Sequence, residues 1–410
     1  MMQDWAGWLL MLFSFSIVLM WKHVRSDTKV VHAIWFCMVF HHAVAFLNAY
    51  VSSVIGVEGD ARTFHFYGVG ASSEPESGFW DNPRVAYSTS LGFFYRTFGA
   101  SFLLGDELSI LAFTLSCVVL VKLVDLLDLE RFRIGIVLFF GLLPSAVIFR
   151  SVTFRESWQA LFFLLSVYCA IRLRKQPGIL IFLFMLMSAS CMALLHYGLR
   201  AYAIFLIITS IYWVFFGRKE SVRWERLARF LFAGLLVACV IMLVQKIGWY
   251  TSNSYSWLAV EGFRQDSALH PGRTTYGVML DTSVIGLVKT VPVIFAQYMF
   301  APFPWQVGNV MDVYAMLESM LRFVLLLLAV LSWRRSSGEV RSYYCFLLII
   351  FLGVEFMWAM GTLSWGTATR HHVPGYSIIV LLGVPGLILF MRKLHFMIFR
   401  RRKDNTMLLK

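Results

Sequence analysis

Charged residues are scarce in this sequence. Lysine, arginine, aspartate and glutamate together make up 14% of the 410 residues, whereas 59% of the residues are hydrophobic. A soluble domain carries about 25% charged residues, because its surface has to face water. This shortage excludes a soluble globular protein and predicts that lipid surrounds most of the chain.

Cysteine spacings typical of metal sites and disulfide frameworks are also missing. All six cysteines lie within apolar stretches, where cysteine is a small core residue: Cys37, Cys117, Cys169, Cys191, Cys239 and Cys345. His371 and His372 are neighbours that do not share a helical face, and no carboxylate or cysteine lies at ligand spacing from them. We therefore predict no metal site and no certain cofactor, and whether a divalent cation is needed stays open.

Long apolar runs dominate what is present. A membrane span needs about 20 mostly apolar residues, and eleven runs qualify: 5–21, 30–55, 107–127, 134–150, 157–172, 178–196, 200–217, 229–249, 314–333, 343–362 and 374–391. The first run has no basic segment before it and no small-residue cleavage site, so we expect it to be retained. No fixed-period repeat and no appended soluble domain is visible, which predicts a single integral membrane domain over residues 1–410.

Basic residues show how the runs are oriented. With the N-terminus outside, every strong Lys/Arg cluster, including the tail 392–410, falls on the cytoplasmic side, as the positive-inside rule requires. The net charge of +13 is therefore a sign of membrane orientation and not of nucleic-acid binding. If the apolar stretch 282–302 also crossed, it would break this pattern. We predict that it is a re-entrant or interfacial helix on the outer side.

The predicted fold is an all-α, polytopic transmembrane helix bundle with about eleven spans. Two larger segments, 56–106 and 250–313, are expected as outer loops on the periplasmic side. Charged residues at membrane depth are costly and usually mark function or internal pairing. In this sequence they concentrate at the outer ends of the spans.

The first outer group lies just after the second run. It contains Glu58, Asp60, Arg62 and His65. Gly59 would let the chain turn tightly and hold Asp60 near the membrane surface. A carboxylate there can act as a general base on a sugar hydroxyl, and the alternative interpretation is an ordinary solvated acidic turn.

Three further outer turns carry basic residues. They contain Arg155 with Glu156, His196 with Arg200, and Arg370 with His371. Arginine binds phosphate bidentately and a nearby glutamate can orient it, whereas the alternative is a helix start or an interfacial anchor. Four such groups at one face fit an amphiphile with an anionic head, such as a polyprenyl phosphate that carries a sugar.

Other charged and aromatic residues complete the set. The segment 250–313 adds the candidate substrate contacts Arg264, Arg273 and Trp305. Within the apolar runs, Glu318 and Arg322 lie one helical turn apart and are expected to pair. Glu355 has no partner nearby in sequence and is expected to face the bundle interior.

The layout of most of the chain resembles the GT-C superfamily of membrane glycosyltransferases, particularly bacterial members from exopolysaccharide and O-antigen clusters. The similar motifs are Gly59-Asp60-Ala61, Tyr95-Arg96-Thr97-Phe98-Gly99, Pro144-Ser145 followed by Arg155-Glu156, Pro302-Phe303-Pro304-Trp305, and Gly366-Thr367-Ala368-Thr369-Arg370. The resemblance implies that Asp60 is the base that deprotonates the acceptor hydroxyl. It also implies that arginines hold the lipid-phosphate leaving group. The family often has a paired acid in this loop, and Glu58 is the closest candidate.

The expected function is transfer from a polyprenyl-phosphate-linked sugar to a glycan acceptor at the periplasmic face of a bacterial inner membrane, in cell-surface polysaccharide synthesis. A polymerase of the Wzy type, acting on lipid-diphosphate-linked repeat units through Arg155, Arg200 and Arg370, is the neighbouring alternative. A transporter or flippase for lipid-linked sugars is an alternative of another class. A membrane acyltransferase with His371 or His372 as the base also stays open.

Overall fold

The computed structural model describes residues 4–52, 54, 56–74, 77–216, 264–265, 274–276, 278, 280–281 and 283–407, without the side chains of Glu58, Val284, 215–216 and 398–407. Among these residues the chain is helical, and its only extended pairing is an isolated bridge between Thr275 and Ser364. The all-α class is confirmed for the described part. The predicted span 229–249 and the candidate contact Arg273 lie outside the described residues.

The described residues form the following α-helices, given in chain order. The first are α1 (Trp5–Met20), α2 (Lys22–Arg25), α3 (Thr28–Phe46), α4 (Glu58–Ser73), α5 (Pro83–Phe98), α6 (Phe102–Leu126), α7 (Arg133–Leu142) and α8 (Pro144–Arg150). They are followed by α9 (Glu156–Lys175), α10 (Ile179–Leu194), α11 (Tyr197–Phe216), α12 (Val284–Phe300), α13 (Val310–Arg335), α14 (Gly338–Gly361), α15 (Trp365–His371) and α16 (Val373–Met407). A π-helical turn, Leu47–Val51, extends α3.

Several of these helices can cross a membrane. Within the described residues, six are long and apolar enough: Thr28–Val51, Phe102–Leu126, Tyr197–Val214, Val310–Arg335, Gly338–Gly361 and Val373–Met397. A seventh span results if Glu130–Leu142 and Pro144–Arg150, which meet at 62°, are counted as one. These lengths fit a polytopic membrane protein. The count of eleven and the re-entrant path of 282–302 stay predictions.

The interior of the bundle is built around α6. This helix packs against α1, α3 and α9, while α13 packs along α16. Ile110, Phe113 and Cys117 of α6 are completely buried, as expected for a span that is apolar all round and has helices on several sides.

Basic side chains meet at one end of the bundle, which we call the basic end. There Arg133 Nε donates to Asp125 Oδ1 at 2.7 Å, and Lys175 Nζ donates to the carbonyl of Leu126 at 2.5 Å. Arg174 Nη1 donates to the carbonyl of Trp213. The helices that end or begin here, α6, α7, α9 and α11, thus share one face, as the clusters in the sequence led us to expect. We call the opposite end the outer end.

The segment 56–106 is not the loop that its composition suggested. It forms α4 and α5, which pack against each other as a helical hairpin. Small residues allow this contact, since a Cβ atom on Gly92 would lie 2.8 Å from the backbone carbon of Ala71. Residues 58–60 are therefore the first turn of α4 and not a tight turn, and Asp60 has a helical position.

A network of charged residues lies inside the bundle. Arg322 Nη2 donates to the hydroxyl of Tyr376 at 3.0 Å, and that hydroxyl donates to Glu318 Oε2 at 2.9 Å. Glu318 Oε1 also accepts the backbone N–H of Ser145 at the start of α8. The expected pairing of Glu318 with Arg322 therefore runs through Tyr376, which belongs to α16.

Glu355 faces the interior, as expected, and pairs with His372 at 2.5 Å. His372 Nε2 lies 3.1 Å from the carbonyl of Tyr298, which can only accept, so Nε2 carries a hydrogen. One further proton is then shared between His372 Nδ1 and Glu355 Oε2. Both ring nitrogens are engaged, and His372 has no position left for a catalytic base. We call Glu318, Arg322, Glu355, His372 and Tyr376 the inner network.

Candidate functional site

A cavity of about 310 Å³ opens at the outer end of the bundle. Its walls come from the start of α4, the end of α8, the start of α13 and most of α15. Its polar lining residues are Asp60, Thr274, Asn309, Asp312, Tyr314, Thr367, Thr369 and Arg370. Ligand pockets begin at about 300 Å³, so the cavity is large enough for a small polar ligand or part of a larger one.

Arg370 is the centre of the charges beside this cavity. Its Nη1 donates to Asp60 Oδ2, and its Nε lies 3.2 Å from Glu156 Oε1 at an angle that gives an ion pair without a hydrogen bond. Burial lowers the pKa of Arg370, but the charges of Glu156 and Asp60 outweigh this effect and raise that pKa above its usual value. The side chain of Asp60 is 59% exposed and that of Glu156 only 3%.

Arg155 stands directly before α9, which begins at Glu156. A carboxylate in the first turn of a helix is stabilised by the positive end of the helix dipole, so Glu156 both starts α9 and reaches Arg370. The guanidinium of Arg155 packs 5.3 Å from the ring centre of Phe64. Its Nε has no hydrogen-bond partner among the described residues. Burial lowers the pKa of Arg155, and the charge of Glu156 acts in the opposite direction.

We call Asp60, Arg155, Glu156 and Arg370 the outer charge group. It contains two guanidiniums and two carboxylates, so its formal charges cancel. Its members come from the starts of α4 and α9 and from α15, and the structure brings together four residues that the sequence had placed in three separate turns.

His196 and His371 lie next to this group, with their ring centres 6.0 Å apart. The hydroxyl hydrogen of Thr362 goes to the carbonyl of Trp358, so its oxygen must accept from His371 Nδ1 at 2.7 Å. His196 Nδ1 accepts from the backbone N–H of Gly198. Neutral His371 therefore offers a lone pair at Nε2, whereas neutral His196 offers an N–H there.

Both rings are held in the neutral form. Burial lowers the pKa of His196 and His371 well below the usual value, and the charges of Arg155 and Arg370 lower it further. The ring of His371 stacks on Trp358 at 4.0 Å. These histidines can donate or accept single hydrogen bonds, but they add no positive charge for an anion at neutral pH.

Two predicted basic contacts have other partners. Arg200 Nη2 donates to the carbonyls of Trp80 and Asp81, and so ties α11 to the turn between α4 and α5. Arg264 is buried and donates to the carbonyls of Ala359, Met360, Thr362 and Val278 (the first three at the end of α14). These arginines satisfy backbone oxygens, and the structure does not bring them to the cavity.

The remaining predicted contacts are spread over the outer end. Trp305 is 80% exposed and stacks on Phe303, while Arg62 is exposed on α4. His65 is buried, with Nδ1 2.8 Å from the hydroxyl of Tyr95, and burial lowers its pKa to about 4. The side chain of Glu58 lies outside the described part of the chain.

Residues at the start of α13 were missed as site candidates. Asn309 caps this helix through Oδ1, and Asp312 accepts the indole N–H of Trp365 at 3.0 Å. Asn309, Tyr314 and Asp312 line the cavity opposite α15. A single polar residue before an apolar run has the appearance of a helix cap, so only its position across from Arg370 identifies it as part of a site.

Neither metal ligands among the described residues nor comparisons with known proteins identify a function. Within the part of the chain that the structure describes, no three His, Cys, Asp or Glu side chains could hold one metal ion. Comparisons with protein families, curated proteins and solved structures give no match. Since a helical fold class does not identify a function, the function rests on the outer charge group and its cavity.

Proposed function

We propose that this chain is a bacterial membrane glycosyltransferase of the GT-C type, which uses a polyprenyl-phosphate-linked sugar in the synthesis of a cell-surface polysaccharide. The observation that carries the proposal is the contact of Arg370 with Asp60 and Glu156 beside a polar cavity. One place thus holds cations for a phosphate and carboxylates for proton transfer, and hydroxyl and amide groups line the adjacent cavity.

The proposed topology has eleven spans in one domain, with the N-terminus in the periplasm and the C-terminus in the cytoplasm. The basic end would then lie in the cytoplasm, as the positive-inside rule requires, and the cavity would open on the periplasmic side of the inner membrane. The separation of the basic end from the outer charge group along α9 supports this orientation: Glu156 begins this helix and Lys175 ends it.

In the proposed reaction, Arg370 and Arg155 hold the phosphate of the donor, and Asp60 accepts the proton of the acceptor hydroxyl. The acceptor oxygen attacks the anomeric carbon directly while the lipid phosphate leaves, which inverts the configuration. Guanidiniums that are already in place when charge develops on the leaving phosphate stabilise the transition state more than the ground state.

A polymerase of lipid-diphosphate-linked repeat units is the second candidate. The observation that favours it is the presence of two guanidiniums, Arg155 and Arg370, in the same charge group, since a diphosphate carries more charge than a single phosphate. The third arginine expected for a polymerase, Arg200, is bound to backbone carbonyls instead.

The test is the surface-glycan profile of a deletion strain, together with its lipid-linked intermediates. A repeat unit that lacks one sugar indicates single-sugar transfer, whereas complete repeat units that accumulate on lipid indicate polymerisation. Accumulation of complete intermediates on the cytoplasmic leaflet would support a transporter instead. A normal glycan profile would contradict the proposal.

Complementation then tests the site. Asp60→Asn should be produced and folded normally but should not restore the glycan. Asp81→Asn is the matched control, because Asp81 is an exposed aspartate in the turn after α4 and should restore it. Full activity of Asp60→Asn would contradict the assignment of Asp60 as the base.

A further inference from the structure

Asp60 and a substrate phosphate compete for the same guanidinium. Arg370 Nη1 donates to Asp60 Oδ2. A phosphate bound bidentately by Arg370 takes Nη2 together with either Nη1 or Nε, and Asp60 and Glu156 lie at those two nitrogens. The Asp60 oxygen that accepts from Arg370 is not directed at an acceptor hydroxyl. Bidentate binding of a phosphate through Nη1 and Nη2 therefore requires Asp60 to leave Arg370.

We infer that Arg370 is an anion-exchange site, at which the phosphate of a lipid-linked sugar replaces Asp60 and the released carboxylate becomes the proton acceptor. The inference rests on the proposed function for the identity of the ligand. It assigns Asp60 two states, one as the resident anion of the empty site and one as the base of the loaded site.

The exposure of Asp60 and Glu156 indicates which of these two carboxylates a phosphate displaces from Arg370. The side chain of Asp60 is 59% exposed, and the contact with Arg370 is its only hydrogen bond or ion pair among the described residues. Glu156 is 3% exposed and begins α9. An exposed ion pair contributes little because water solvates both partners once they separate, whereas a buried carboxylate that loses its cation has no such replacement. Asp60 leaves and Glu156 stays.

The charge and the oxygens of a phosphate allow it to replace Asp60 at Arg370. A phosphate or diphosphate carries at least the charge of a carboxylate and presents more oxygens to a guanidinium fork. Arg155, next to Glu156, adds an Nε–H that has no partner among the described residues. That Nε–H is buried and Arg155 does not line the cavity, so the advantage of a phosphate over Asp60 comes from its additional oxygens at Arg370.

The exchange fits a balanced transfer step. The bond between the anomeric carbon and the phosphate oxygen breaks, and its electron pair stays on the phosphate, which Arg370 holds. The acceptor oxygen forms the new bond to the anomeric carbon, and its proton goes to Asp60. After the lipid phosphate departs, Asp60 releases the proton to water and pairs again with Arg370.

The experiment measures anion binding to the full-length protein in lipid nanodiscs by isothermal titration, with inorganic pyrophosphate and farnesyl diphosphate as separate probes. Asp60→Asn removes the competing charge and should bind either probe about two- to fivefold more tightly than the wild type, the equivalent of one exposed ion pair. Arg370→Gln should lose at least about tenfold in affinity. Asp81→Asn should bind like the wild type.

Comparison of the two probes identifies the source of the phosphate. Tighter binding of farnesyl diphosphate than of pyrophosphate means a lipid-linked ligand, and equal binding means that the free anion suffices. Wild-type-like or weaker binding by both Asp60→Asn and Asp60→Ser would overturn the inference, and so would the absence of binding to any variant. Thermal unfolding of each variant shows whether it is folded.

The failure of the inference differs from the failure of the proposed function. If Asp60→Asn binds more tightly but the deletion strain makes normal glycan, the exchange stands and the glycosyltransferase assignment falls. If the deletion strain loses glycan but Asp60→Asn does not bind more tightly, the assignment stands and the exchange falls.

Discussion

The outer charge group and the inner network contain the same kinds of residue but differ in their exposure. In the inner network Tyr376 bridges Arg322 and Glu318, and His372 uses both ring nitrogens. In the outer charge group Arg155 Nε and Glu156 Oε2 have no hydrogen-bond partner among the described residues. Arg322 Nε of the inner network also has no hydrogen-bond partner among the described residues. What separates the two groups is exposure, since the side chain of Asp60 is 59% exposed beside a cavity, whereas all five residues of the inner network are buried.

The two groups also differ in how easily a charged residue can leave its partner. All five residues of the inner network belong to, or directly adjoin, the long helices α13, α14 and α16. In the outer charge group, Asp60 sits on an exposed hairpin and can leave its partner at little cost. A charge inside a membrane protein is therefore not by itself a sign of function, and a position beside a cavity is the better guide.

The largest effect is expected from removing the arginine of the inner network. Arg322→Ala leaves Glu318 buried without its cation, which should cost about 3–5 kcal/mol of unfolding free energy. Thermal unfolding in detergent measures this loss, with the exposed Arg62→Ala as control. Equal midpoints for the two variants would mean that the inner network does not hold the bundle together.

Removing the arginine of the outer charge group should affect activity instead. Arg370→Gln takes away the cation that meets the developing phosphate charge, and transfer should fall by about 100-fold or more. The buried Glu156 loses Arg370 but keeps the neighbouring charge of Arg155, so the unfolding midpoint should fall by less than in Arg322→Ala. A midpoint as low as that of Arg322→Ala would show that the two regions are not different in kind.

A smaller loss is expected from one hydroxyl. Tyr376→Phe removes the group that donates to Glu318 and accepts from Arg322, and leaves both buried charges without that bond, at a cost of about 1–3 kcal/mol. Tyr344→Phe is the control, since this buried tyrosine has no hydrogen bond of its hydroxyl among the described residues. Activity measured below the unfolding temperature should stay near wild type in both variants.

The smallest effect concerns pH. The pKa of His371 lies well below the ordinary value of 6.5 in the folded chain, chiefly through burial. Below that pH the unfolded chain takes up a proton that the folded chain does not, so stability is present above pH 6.5 and is lost as the pH falls. The unfolding free energy should drop by about 1 kcal/mol over the first pH unit below this value. His371→Gln should remove this contribution to the slope of unfolding free energy against pH. His32→Gln, which changes an exposed histidine, should keep the wild-type slope.

Features that depend on composition or on neighbouring residues were predictable from the sequence. The helical class, the common end of the basic clusters and the inward position of Glu355 all follow from hydrophobicity and charge along single segments. The hairpin of α4 and α5 did not follow, because glycine and serine favour both loops and close helix contacts. Gly92 makes such a close helix contact, against Ala71.

Partners that are distant in sequence could not be predicted. Asp60 and Arg370 are 310 positions apart, and no periodicity connects them. Arg264 appeared as a candidate substrate contact because it is basic and lies in an outer segment, yet its partners are the carbonyls at the end of α14. Local pattern shows that an arginine is at the membrane surface but does not show which oxygen it binds.

The cancellation of charge in the outer charge group has a consequence for how substrate arrives. Two guanidiniums and two carboxylates within one group produce little field beyond the Debye length of about 8 Å at physiological ionic strength, so the empty site does not steer dissolved anions from a distance. A substrate anchored in the bilayer needs no such steering, because it reaches the site by lateral diffusion in the membrane. We therefore expect the association rate to vary little with salt concentration and to follow membrane fluidity instead.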